Sequence, residues 1–259
     1  MALIMKLIDT HAHIYLDTFD GDIDQVANNA LKANVGKIYL PNIDTGTIED
    51  MHQLEERYPG FFYPMMGLHP GSVRRDYSNE LKTIEKWLDQ REYIAIGEIG
   101  IDLYWEKTHQ AEQEKAFDIQ LKWAKERGMP VVIHSRESFA EIFNIVEKLN
   151  DNSLWGIFHS FSGTLEEARH IIDLGFKIGI NGIVTFKNSS LDKVVEQIDL
   201  NHLVLETDSP FLAPVPRRGK RNESAYLKYI AEKIASIKQT SVEEVAKVTT
   251  KNALTVFNN

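Results

Sequence analysis

His11 and His13 stand one residue apart at the end of an apolar run, Leu7-Ile8-Asp9-Thr10-His11-Ala12-His13. On an extended strand that spacing turns both imidazoles, and Asp9 one step before them, to the same face. Four further apolar runs also finish on a histidine or a carboxylate. They are Ile94-Ala95-Ile96-Gly97-Glu98, Val131-Val132-Ile133-His134, Trp155-Gly156-Ile157-Phe158-His159 and Leu203-Val204-Leu205-Glu206-Thr207-Asp208. Imidazole and carboxylate are the side chains that ligate zinc, manganese and magnesium. If the strands ran parallel and closed into a ring, their C-terminal ends would meet at one mouth. The chemistry this predicts is hydrolysis by metal-activated water.

Each residue also has a structural reading. An isolated H-x-H is more often a pair of core histidines than a ligand pair. Glu98 could serve a salt bridge to a barrel arginine, and Asp208, before Ser209-Pro210, could cap a helical turn. Independent core histidines would not all fall at strand ends, however, and a buried glutamate is costly unless paired or metal-bound. Asp9 is placed to orient an imidazole. Glu206 shares the inward face with Asp208 and fits either an orienting or a ligating role.

The elements that must position these groups alternate along the chain. Strands are expected at Leu7–His13, Lys37–Asn42, Phe62–Leu68, Ile94–Glu98, Pro130–His134, Trp155–His159, Phe176–Ile180 and His202–Glu206. Helices are expected between them, with apolar residues at three- and four-residue steps, as in Phe139, Ile142, Phe143, Val146 and Leu149. Thr164-Leu165-Glu166-Glu167 reads as a capping box. Two more helices, Ala225–Ile237 and Val242–Val256, close the chain. Eight βα units in order predict an α/β fold, a (β/α)8 TIM barrel in a single domain over residues 1–259 with extra C-terminal helices. An open doubly wound sheet is disfavoured because no G-x-G-x-x-G follows the first strand.

Composition narrows the class further. At 43% hydrophobic and 26% charged over 259 residues, the chain has material for a barrel core. It has no cysteine, which excludes disulfides, thiolate zinc sites and a cysteine nucleophile and fits a reducing compartment. Lys6 and Asp9 interrupt the N-terminal apolar residues, so no signal peptide is expected, and no run reaches a membrane span. A cytoplasmic enzyme follows, with a monomer the simpler expectation. The net charge of -9 argues against a broadly basic nucleic-acid surface but leaves room for a local basic mouth.

The motifs together resemble the TatD family of metal-dependent deoxyribonucleases, within the wider amidohydrolase-type barrels. They are Asp9-Thr10-His11-Ala12-His13, Gly67-Leu68-His69-Pro70, Gly97-Glu98-Ile99-Gly100-Ile101-Asp102, Val132-Ile133-His134-Ser135-Arg136, His159-Ser160-Phe161-Ser162-Gly163, Glu206-Thr207-Asp208-Ser209-Pro210-Phe211 and Arg218-Gly219-Lys220-Arg221-Asn222-Glu223. They occur in order over nearly the whole chain. The resemblance implies two divalent metal ions, one held by His11, His13, Glu98 and Asp208 and the other by Glu98, His134 and His159. Glu98 would then bridge them, one oxygen to each. Family activity is associated with magnesium, whereas four imidazoles favour zinc or manganese, so magnesium is expected for activity with zinc or manganese also bound. Asp208 is the expected general base. His69 completes neither site and is expected at the phosphate or the leaving group, with a structural cap before Pro70 as its alternative. Family members often carry proline where this chain has Ser224, and an aromatic residue where it has Arg217. Both changes bear on substrate preference.

Basic residues fall in the loops that follow strands: Arg74, Arg75, Lys107, Arg136, Lys187, Arg217, Arg218, Lys220 and Arg221. Tyr104, Trp105, Phe161, Phe186 and Phe211 share those loops. Shared location favours phosphate contact, with Arg136, Arg218 and Lys220 as substrate-binding candidates and the aromatics as stacking surfaces for a single-stranded end. The expected function is a DNA or RNA exonuclease, its 3′-to-5′ polarity implied by the resemblance alone. The competing enzyme would hydrolyse a carbonyl ester or amide, such as D-aminoacyl-tRNA, and would not need a phosphate-binding rim. A non-enzymatic, metal-dependent nucleic-acid scaffold is disfavoured by the complete ligand set.

Overall fold

The computed structural model describes residues 6–105 and 107–257. Eight strands, all parallel to their neighbours, alternate with helices in the expected order. They are β1 (Leu7–Asp9), β2 (Val35–Pro41), β3 (Phe62–Met65), β4 (Ile96–Asp102), β5 (Val131–Arg136), β6 (Gly156–His159), β7 (Lys177–Ile180) and β8 (Leu203–Leu205). The ladders β1-β2-β3 and β4 through β8 are joined at both seams. Met66 bridges Ile96 at one, while Ala12 bridges Ser209 and the Thr10 amide donates to the Leu205 carbonyl (3.0 Å) at the other. Among the described residues these bridges close the ring.

Helices α1 (Ile23–Lys32), α2 (Ile48–Arg57), α3 (Tyr77–Gln90), α4 (Gln110–Arg127), α5 (Phe139–Leu149), α6 (Leu165–Asp173), α7 (Leu191–Gln197) and α8 (Leu227–Lys238) follow successive strands, and α9 (Val242–Phe257) ends the described chain. α6 starts where its sequence signature places it. The Thr164 hydroxyl accepts from the Glu167 amide (3.2 Å) and the Glu167 carboxylate accepts from the Thr164 amide (2.6 Å). α3 begins four residues before its apolar stripe, because Tyr77 to Glu80 present a half-solvated first turn.

Inside the ring, Ile8, Tyr39, Met65, Ala95, Val132, Ile157 and Val204 form one buried layer. Val256 and Phe257 of α9 pack onto it from below, and the Trp155 indole donates to the Val256 carbonyl (3.0 Å). Of the two helices expected to close the chain, α8 completes the eighth βα unit and α9 is the extra one, plugging the bottom of the barrel. Among the described residues no helix is long and apolar enough to cross a membrane.

Candidate metal centre

Strand parity delivers three of the site residues. From Val132, Ile157 and Val204 in the buried layer, two steps along the chain give His134, His159 and Glu206, while Asp208 follows in the turn after β8. β4 needs a different device. Ala95 belongs to the same layer, so regular alternation would turn Glu98 away from the interior. The β4–β5 register instead slips between Ile96 and Ile99, which pair with Val131 and Ile133. That extra residue is a bulge, and it re-aims Glu98 into the mouth. β4 then runs on to Asp102, four residues past its expected end, and brings a second carboxylate to the same face. Gly100 lies opposite His134, where an added Cβ would fall 2.0 Å from the His134 carbonyl oxygen. Only glycine allows the two backbones this approach.

β1 departs from expectation in the opposite sense, ending at Asp9, after which the backbone bends. Asp9 therefore does not sit beneath His11 as an imidazole orienter. Its carboxylate accepts from the Thr207 amide (2.9 Å) and hydroxyl (2.6 Å), clamping β1 to the end of β8.

Glu98, 2% exposed, is the hub. One oxygen lies 3.1 Å from His11 Nε2 and 3.6 Å from His13 Nε2. The other lies 2.8 Å from His134 Nδ1, 3.3 Å from His159 Nε2 and 3.5 Å from His69 Nε2. Asp208 completes the first group, with an oxygen 3.7 Å from His13 Nε2 and 4.0 Å from His11 Nε2. It does not cap a helix: its carbonyl accepts from the Phe211 amide in a tight turn. Among the described residues three clusters have atoms close enough to share a cation: His11, Glu98 and His159; His11, His13 and Asp208; and His69, Glu98 and His134.

Hydrogen bonds fix which imidazoles offer a lone pair. Tyr15 gives its single hydroxyl proton to the Pro41 carbonyl (2.5 Å), so its oxygen accepts from His13 Nδ1 (2.9 Å). His13 Nε2 then turns a bare lone pair to the cluster, the tautomer a ligand needs. His159 also turns Nε2 toward Glu98, but its buried Nδ1, 3.1 Å from Glu206, makes no hydrogen bond. Gly179 makes room for Glu206, since a Cβ there would fall 2.3 Å from its carboxylate. His69 is the reverse case. Its Nδ1 accepts from the Gly71 amide (2.9 Å), capping the turn Pro70–Ser72, so its Nε2 carries the proton and meets Glu98 as a donor. The capping alternative and a place at the site are both realised.

The electrostatics are those of a site built around positive charge. Burial opposes ionisation of Glu98, but the imidazoles of His11, His69 and His159 outweigh it and hold its carboxyl well below the usual range. Burial, then the charges of Glu98 and Glu206, push Asp208 well above that range. Burial, with a smaller push from the Glu98 charge and against His11 and the Ser160 amide, carries Glu206 up to about 7, and one of its oxygens has no hydrogen-bond partner. Burial also keeps His11 and His13 neutral, and His11 Nδ1 is likewise unpartnered. For His134 burial is overcome by the Asp102 and Glu98 carboxylates, which hold the ring at about 9. Closely spaced carboxylates, imidazoles that burial keeps neutral and a His134 ring held charged by carboxylates fit divalent cations, which would replace these protons.

Asp102 was not among the expected site residues, nor were Tyr15 and Asn222. The Glu98-Ile99-Gly100-Ile101-Asp102 alternation could have revealed Asp102, because it shares a face with Glu98. Asp102 bonds His134 Nε2 (3.0 Å) and accepts from the Tyr104 and Trp105 amides (2.9 Å each). Asn222 donates to the carbonyls of Thr207 (2.8 Å) and Phe211 (2.7 Å), holding the turn that carries Asp208 at its left-handed φ of 59°.

The mouth above the cluster is a cleft of about 580 Å³, lined by His69, Glu98, His134, Arg136 and Asp208 among others. Arg218 and Lys220 are exposed on the loop after β8 and do not line it; Arg218 lies over the Phe186 ring (4.1 Å). Two other basic loop residues are held in ion pairs, Arg221 with Asp22 (2.6 Å) and Lys107 with Glu137 (3.6 Å). Phe161 is buried core rather than rim.

The TatD related DNase family model matches residues 8–258. The metal-dependent hydrolase YabD of Bacillus subtilis is 37% identical over 252 residues, covering 97% of this chain and 98% of that protein. The human deoxyribonuclease TATDN3 is 33% identical, with 97% and 94% covered. The crystal structure of the Escherichia coli TatD homologue YjjV superposes with a TM-score of 0.93 at 30% identity, over 99% of this chain and 100% of that one. With the barrel and its histidine–carboxylate mouth, these likenesses make the chain a member of the TatD family and a metal-dependent hydrolase.

Proposed function

We propose that this chain works as a single-domain nuclease that hydrolyses phosphodiester bonds of DNA, and of RNA, from single-stranded 3′ ends. The observation that carries the reading is the division of Glu98: one oxygen faces His11 and His13, the other faces His134 and His159. A carboxylate so shared is suited to two cations on either side of one phosphate. His11, His13, Glu98 and Asp208 would hold the first, and Glu98, His134 and His159 the second. Magnesium is the proposed activating ion, with zinc or manganese also able to bind. When bound, such ions activate water and offset negative charge on the departing oxygen.

The chain's own groups supply the rest. Asp208 takes the proton of the attacking water, its rim position leaving it reachable at 13% side-chain exposure. His69 offers its Nε2 proton to a phosphate oxygen or to the leaving group. Arg136 meets the strand at the cleft, and Arg218 and Lys220 contact it further out. The deoxyribonuclease name of human TATDN3 supports the substrate class. The absence of cysteine fits a cytoplasmic setting.

Metal-free protein incubated with single-stranded DNA, single-stranded RNA and a chromogenic carboxylic ester, with magnesium, manganese and zinc added in turn, tests this. We expect mononucleotides released from 3′ ends and an untouched ester. Ester turnover beside intact strands would overturn the reading in favour of a carbonyl hydrolase.

A further inference from the structure

The mouth carries an aromatic surface that the metal chemistry does not use. Trp105 is 73% exposed and Tyr104 48%, unusual for large rings, yet the backbone beneath them is tightly held. Asp102 Oδ1 accepts from both of their amides, and the Leu103 amide donates to the Arg136 carbonyl (2.9 Å). The two rings meet edge to face with centroids 4.8 Å apart. The Arg136 guanidinium sits in the corner they form, 4.2 Å from the Tyr104 centroid and 5.5 Å from that of Trp105. Among the described residues it has no carboxylate partner. This is a backbone-anchored platform whose positive charge is unpaired among the described residues.

Its position gives it a ligand. Trp105 and Arg136 line the same cleft as Glu98 and Asp208, and the other oxygen of Asp102 reaches His134. One carboxylate thus couples the platform to the cluster. Four strands round the closed ring, and so across the mouth, Phe211 presents a 53% exposed ring to that cleft. A cleft of about 580 Å³ falls in the range of about 300–1,000 Å³ that encloses one small ligand-sized group. An exposed indole face, a free guanidinium and a metal-type floor match the three parts of one unpaired nucleotide: base, phosphate and scissile bond. A base inside a duplex is stacked on both faces and could not be received.

We propose that Trp105, pinned by Asp102 and flanked by Arg136, is a stacking subsite for the unpaired nucleobase next to the phosphodiester held at the Glu98 cluster. The assignment rests on the nuclease reading and makes it specific for single strands.

The test is equilibrium binding to metal-free protein, followed by fluorescence anisotropy, of a labelled oligothymidylate and of an abasic strand of equal length. Trp105→Ala should weaken oligothymidylate binding about tenfold, the scale of one lost base–aromatic stack, and leave the abasic strand at its wild-type affinity. Trp105→Phe should restore most of the loss. Arg136→Gln should weaken both strands and flatten their salt dependence. Equal weakening of both strands by Trp105→Ala, or of neither, overturns the subsite. If that happens while the magnesium-loaded wild type still degrades oligothymidylate, the subsite alone is lost. If the wild type neither binds nor degrades either strand, the nuclease reading falls with it.

Discussion

Removing the Glu98 carboxylate separates chemistry from stability. Its polar partners include the His11 and His13 imidazoles, which burial already keeps neutral, and His134, which Asp102 still holds. Glu98→Ala should therefore lose hydrolysis by about 10³-fold or more, as for groups that act on transition-state charge, and lose cation binding in calorimetry, with little change in Tm. Turnover retained at saturating cation would remove Glu98 from the mechanism. Asp9 makes the complementary case, stability without chemistry. Burial, against hydrogen bonds that include those from Thr207, raises its carboxyl from 3.8 to about 6. The folded state then holds this proton more tightly than the unfolded one. Asp9 stabilises the fold fully below about pH 4, and that contribution, about 3 kcal/mol at 1.36 kcal/mol per pKa unit, is lost as pH rises through about 6. Asp9→Asn cannot ionise, so in metal-free protein the Tm of the wild type should fall relative to it between about pH 4 and pH 7. A constant difference across that range would show that Asp9 does not titrate there.

At the scale of elements, the sequence reading succeeded where regular alternation carries the information. His134, His159 and Glu206 lie two residues beyond buried-layer residues on β5, β6 and β8, and periodicity alone placed them at the mouth. It failed where the chain leaves regular strand. β1 stops at Asp9, so the shared face assumed for Asp9, His11 and His13 does not extend to Asp9. β4 gains a bulge before Ile99, and an extra residue leaves no trace in an apolar pattern. Loop charge was legible as composition but not as geometry, because Arg221 and Lys107 are paired with carboxylates distant in sequence. The turn after β8 depends on a residue that the motif over residues 218–223 contained but to which no spacing argument assigned a role. Asn222, fully buried, uses one amide group to satisfy the Thr207 and Phe211 carbonyls on either side of Asp208. Asn222→Ala would leave both without that donor, at about 1–3 kcal/mol for a buried unsatisfied group. It should lower Tm by several degrees and reduce kcat more than KM, since Asp208 loses its fixed direction while the rim is unchanged. A fall in KM-dependent binding alone, with kcat preserved, would place Asn222 outside the positioning of Asp208.

At the scale of the whole molecule, cation binding and folding are one equilibrium. The candidate ligands come from β4, β5 and β6 and from the segments following β1 and β8, so they span both ladders of the closed ring. Those groups are brought together only in the folded chain, and any ion they hold stabilises the whole barrel by mass action. The same ions must displace protons. Without them His134 is held charged at about 9 by its two carboxylate neighbours, against burial. Asp208 is held neutral by burial and by the charges of Glu98 and Glu206. Ligation requires a neutral imidazole and an ionised carboxylate, so loading at about pH 7.5 should release more than one proton per chain. Calorimetric titration of metal-free protein with manganese, in buffers of different ionisation enthalpy, reads that number directly, and Tm should rise with manganese concentration in parallel. Asp208→Asn should release fewer protons, since the amide has none to lose. Tight binding that raises Tm but releases no proton in any buffer would mean that His134 and Asp208 stay protonated. The ion would then sit elsewhere in the molecule, and the mouth of the barrel would not be its site.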